Sequence, residues 1–128
     1  MALPVNRTLD TKTLSGIYMA DVTTDTPSAF VTSPLRGQIT GFRSVLHGAL
    51  AGSDTVITLK VNGDAVTGAT LTMAAGGAAG DTDEGTPTPG TPTAYVEPGD
   101  SIEFASGGES DDGTVPASFL VEISNRRR

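Results

Sequence analysis

The chain has a single histidine, His47, which closes an alternating run of apolar and polar residues. An imidazole titrates near neutral pH and serves as a base or a metal ligand when a partner stands nearby. Here no second ligand follows at metal spacing: there is no cysteine, no H-E-x-x-H and no Cys/His cluster. Ser and Asp are abundant enough for a Ser-His-Asp set to form in space, yet no G-x-S-x-G elbow presents a nucleophile, so a lone strand-end histidine is expected at the surface. Gly76-Gly77-Ala78-Ala79-Gly80 is followed neither by Lys-Ser/Thr nor by a helix, which argues against a phosphate cradle. Two acidic clusters, Asp81 to Glu84 and Glu109 to Asp112, match a calcium loop in composition but not in ligand spacing. Glycoside hydrolysis would need two acids across one cleft and usually aromatic sugar platforms; with no Trp and two Tyr the chain is a poor candidate for sugar binding or cleavage. No enzyme activity, metal or cofactor is expected.

The elements that would carry these residues read as strands. Thr55 to Met73 is two alternating segments around Asn62-Gly63. Ile57, Leu59 and Val61 share one face with Ala69, Leu71 and Met73 across the turn, while Thr58, Lys60, Thr70 and Thr72 share the other. Asn-Gly accepts the positive φ of a tight primed turn, so this is the strongest hairpin signal in the chain. Further strands are expected at Ile17 to Val22, Ala29 to Thr32, Gln38 to His47, Ala94 to Glu97, around Ile102 and Phe104, and from Pro116 to Ile123. In the third of these the apolar parity switches between Ile39 and Phe42 at Gly41, the mark of a bulge or bend. Glu97-Pro98-Gly99-Asp100 fits a type II turn. The reading is an all-β, antiparallel β-sandwich of about eight strands, jelly-roll-like, because that form leaves few open edges.

At 128 residues this is expected to be one domain. Residues 1–15 read as an N-terminal arm, 16–124 as the sandwich, and 125–128 as a basic tail. Within the sandwich, 74–93 lacks any large apolar residue and is expected to be a long exposed loop. A formal charge of −7 disfavours nucleic acid and anionic membranes, and no apolar run is long enough to span a bilayer. The N-terminus lacks the basic start and apolar core of a secretory signal.

Several stretches taken in order carry a resemblance: Ile17-Tyr18-Met19-Ala20, Pro34-Leu35-Arg36-Gly37-Gln38-Ile39, Ser44-Val45-Leu46-His47-Gly48-Ala49, the hairpin, Val96 to Ile102, and Gly113-Thr114-Val115-Pro116-Ala117. In texture and order they resemble small β-sandwich virion proteins of tailed phages, of the kind that decorate or cement a capsid. The resemblance implies a structural protein on the outer surface of the assembled head, bound to the major capsid protein and bridging capsomers as a homo-oligomer, with a trimer expected. Leu3, Arg7 and Leu9 in the arm, and Arg126, Arg127 and Arg128 in the tail, are the expected partner contacts. The alternative is a receptor- or glycan-binding β-sandwich module of a tail fibre or spike.

Overall fold

The computed structural model describes residues 11–23, 28–50, 52–107 and 114–124. Nine strands make up almost all of its regular structure: β1 (Thr11–Met19), β2 (Ser28–Thr32), β3 (Gly37–Leu46), β4 (Thr55–Val61), β5 (Asp64–Met73), β6 (Thr82–Gly85), β7 (Tyr95–Val96), β8 (Ser101–Ser106) and β9 (Ala117–Ser124). A 3-10 turn, Pro92–Ala94, precedes β7. No helix among the described residues is long and apolar enough to cross a membrane.

The strands form two antiparallel sheets. One runs β1-β9-β3-β6, with β7 also paired to β3; the other runs β2-β8-β4-β5. The chain crosses between sheets at nearly every connection and keeps only β4 and β5 as neighbours by hairpin, which is jelly-roll winding. The hairpin turns as its sequence requires: Asn62 and Gly63 both have positive φ, at 51° and 91°, and Val61 pairs with Asp64. The parity switch in β3 is a register shift against β9 between Ile39 and Gly41, so Ile39 and Phe42 both face inward. The Glu97–Asp100 turn closes with the Asp100 amide on the Glu97 carbonyl at 3.0 Å and Gly99 at φ 94°.

Between the sheets lies one apolar core. Phe42 and Phe119 from the first sheet flank Phe104 from the second, with ring centroids 6.0 and 4.9 Å from it. Ring pairs at these distances add to the area they bury. Ile57, Leu59, Leu71 and Met73 complete the hairpin's inner face as its alternation requires. Tyr18 and Phe30 lie outside the core, 58% and 62% exposed.

Two boundaries differ from the sequence expectation. The strand before Ile17 starts at Thr11, so Thr11 to Leu14, expected in the arm, pair with β9 from Ser124 to Val121. Thr11 to Ser15 carry almost no burial on either face and therefore show no period to read. The expected loop 74–93 also contains an element: β6 pairs Thr82–Gly85 with Val45–Phe42. Backbone pairing and a glycine replace apolar side chains there. A Cβ on Gly85 would lie 2.5 Å from the Phe42 ring and 2.6 Å from the Thr70 carbonyl, so only glycine lets the strand sit this close to both sheets. Residues 86–94 then cross to β5. The Thr88 amide donates to the Thr67 carbonyl at 2.9 Å, the Thr67 amide donates to Thr93 Oγ1 at 2.9 Å, and Pro87 and Ala94 are buried.

Candidate functional site

The register of the first sheet decides what its solvent face presents. Tyr18 pairs with Ser118, Ser118 with Val45, and Val45 with Thr82, giving one cross-strand row. The next row is Leu120, Arg43 and Glu84, and Glu122 lies beyond it opposite Thr13 and Gly41. Residues directly opposite on paired strands share a face, so these side chains form one surface. Where β1 would cover Leu120, its register shifts between Leu14 and Ile17. Gly16 sits in that bulge at φ 73° with open space where a side chain would stand. The gap leaves a trough of about 290 Å³, floored by Val45, Leu120 and Gly16 and edged by Ser15, Arg43 and Ser118.

Polar groups frame that apolar floor. At one end His47 Nε2 and Ser118 Oγ are hydrogen-bonded at 2.7 Å, and the Tyr18 ring stands 6.1 Å from the imidazole at 55°. His47 is exposed, as its strand-end position suggested. Among the described residues no carboxylate bonds to its ring, so the contact lacks the orienting acid of a nucleophilic triad. Toward the other end Arg43 lies between two carboxylates, 3.7 Å from Glu84 and 3.5 Å from Glu122. Both pairs are solvent-facing and so hold the guanidinium weakly while cancelling its charge. An apolar floor with an aromatic at one end and convergent hydroxyl, imidazole, guanidinium and carboxylate groups suits binding of a small or extended polar ligand.

A second concavity, about 490 Å³, lies at the end of the sandwich among Leu46, Ala74, Gly76, Gly80, Asp81 and Asp83. Its glycine-rich amides are already committed: Gly76 to the Leu50 carbonyl, Gly77 to Ala74, Gly80 to Leu46, and Ala78 to the Asp81 carboxylate. Those four amides are therefore not available to cradle a phosphate. Strand β6 also separates the acids of the first cluster, since Glu84 turns outward to Arg43 while Asp83 turns inward. Burial, reinforced by the Asp81 carboxylate, pushes the Asp83 carboxyl above its ordinary range. Among the described residues no three His, Cys, Asp or Glu side chains converge as a metal site would require.

Leu3, Arg7, Leu9, Arg126, Arg127 and Arg128, the partner contacts expected from sequence, lie outside the described residues, as does the acidic cluster Glu109 to Asp112. The residues that do converge, Tyr18, Arg43, Val45, Ser118 and Leu120, were not singled out as a site from sequence. Tyr18 was legible by parity alone, standing between Ile17 and Met19, both of which face inward. The others meet through pairing across strands some 75 residues apart in the chain.

No protein-family model matches the sequence, and no curated protein is similar to it in sequence. Among solved structures, the CBM36-1 domain of a multidomain xylanase from the hindgut metagenome of Trinervitermes trinervoides is similar at a TM-score of 0.50 and 10% identity, over 93% of this chain and 99% of that one. The catalytic unit of a thermostable GH87 alpha-1,3-glucanase from Streptomyces thermodiastaticus strain HF3-3 is similar at a TM-score of 0.50 and 10% identity, over 91% of this chain but 26% of that one. At this identity the likeness is one of fold: a two-sheet β-sandwich.

Proposed function

We propose that the chain is a non-catalytic recognition module, a glycan- or receptor-binding β-sandwich of a phage tail fibre or spike, that binds through the outer face of the β1-β9-β3-β6 sheet. The trough, whose edge residue Ser118 is the cross-strand partner of the exposed Tyr18, is the observation that carries this reading. It sets an apolar floor and an exposed ring beside polar groups, the combination that receives a sugar's carbon face and its hydroxyls. The fold supports the reading, since the similar CBM36-1 domain is by its description a domain of a multidomain xylanase and is matched over nearly its whole length. The setting on a phage particle rests on the sequence resemblance.

A second reading, decoration of the capsid exterior, is favoured by a different observation. Strand β1 ends its sheet with no further strand paired to it among the described residues, next to the segment expected to act as an arm. A glycan array probed with the purified protein, alongside mass spectrometry of purified particles and their separated heads and tails, distinguishes the two. Array binding and presence in tails support the first reading. Presence in heads with a silent array overturns it in favour of decoration, and a silent array with absence from particles removes both.

A further inference from the structure

Building on the glycan-binding reading, we infer that the trough is selective for uncharged glycan segments, and that Glu84 and Glu122 set this selectivity by neutralising Arg43. Arg43 is the cation at the trough wall, and a guanidinium free to turn would grip a carboxylate or sulfate on an acidic sugar in a forked pair. Here two carboxylates reach it from opposite sides: Glu84 on β6 is its direct cross-strand partner, and Glu122 on β9 lies one row further. The three groups together carry one net negative charge, on a chain whose formal charge is already −7. An anionic ligand entering the trough would have to displace a carboxylate from Arg43 and then sit beside it, against the field of the whole molecule. A neutral sugar avoids both penalties. Its hydroxyls can donate to the carboxylate oxygens and accept from the guanidinium and from Ser118.

Glu84 and Glu122 therefore act as positioning residues, through Arg43. The Glu84→Gln/Glu122→Gln double variant keeps the side-chain shapes and removes the competing charge. Both positions are solvent-facing, so folding is expected to be retained, checked by thermal melting. Titration of neutral and uronic- or sialic-acid-bearing oligosaccharides against the wild type and the double variant tests the inference. The wild type is expected to bind neutral sugars in preference, and the double variant to gain about fivefold for acidic ones at low salt, a gain lost on adding Arg43→Ala. Preference of the wild type for acidic sugars, or an acidic-sugar affinity unchanged in the double variant, overturns the selectivity while leaving glycan binding in place. Absence of binding to either class overturns the glycan-binding reading and this inference with it.

Discussion

The two lateral sides of the sandwich are built on opposite plans. On the β5/β6 side the sheets are laced together: Gly85 lies against both Phe42 and the Thr70 carbonyl, and residues 86–94 fasten to β5 through Thr67, Thr88 and Thr93. On the β1/β2 side the ties are confined to the start of the β1–β2 connection, where Val22 donates to the Val115 carbonyl and accepts from Ser106 Oγ, and along Thr11 to Gly16 only Leu14 packs on the core. The exposed edge carries devices that discourage indiscriminate strand pairing, namely the Gly16 bulge and Lys12, which falls on the core-facing parity of β1 yet stays exposed. Both exposed aromatics, Tyr18 and Phe30, stand on this open side. Rigidity sits on one side and accessible surface on the other, so substitutions on the closed side should register in stability and those on the open side in binding.

The largest expected contrast is between two glycines. Gly85→Ala forces a methyl into contact with the Phe42 ring and the Thr70 carbonyl and should cost about 3 kcal/mol in urea unfolding. Gly16→Ala meets open space and loses only backbone ease at positive φ, about 1 kcal/mol, while narrowing the trough. Equal costs at the two sites would erase the distinction between the sides.

A smaller effect is expected at Asp21, which ties the open side to the start of β9. Burial tends to raise its pKa, but hydrogen bonds from the Thr23 hydroxyl and from the Thr23 and Val115 amides outweigh it and hold the carboxyl below its ordinary range. A depressed folded-state pKa contributes stability above the unfolded value and loses it as pH falls through the folded value. Asp21→Asn should therefore destabilise by about 1 kcal/mol at neutral pH, with the gap from wild type closing in strong acid. A gap independent of pH would show that charge has no part in the tie. The smallest effect is expected for Thr93→Val, which removes the acceptor of the Thr67 amide and should cost about 0.5–1 kcal/mol, visible as faster amide exchange at Thr67.

Much of the scaffold was legible in residue order because its signals are local. Asn62-Gly63 announces its turn, Glu97-Pro98-Gly99-Asp100 its own, and Ile39, Gly41 and Phe42 mark the bulge in β3. What escaped has non-local causes. Strand β6 is held by backbone pairing and by a missing side chain at Gly85, neither of which leaves an apolar period. The first half of β1 partly buries only Leu14 and reads as an irregular arm. The trough depends on Tyr18 pairing with Ser118, and Ser118 with Val45, and on a gap in a neighbouring strand, all set by register. Its apolar floor of Val45 and Leu120 looks in sequence like ordinary strand alternation.

The central claim, recognition through the face that carries Tyr18, is tested most directly by titrating one array-selected glycan against wild type, Tyr18→Ala and Phe30→Ala. Both rings are exposed and on the same side of the molecule but on opposite sheets, so both truncations should leave stability within about 0.5 kcal/mol of wild type. Loss of about tenfold or more in affinity for Tyr18→Ala, with Phe30→Ala unchanged, is the expected result. Loss at Phe30→Ala with Tyr18→Ala unchanged would place recognition on the opposite sheet and contradict it.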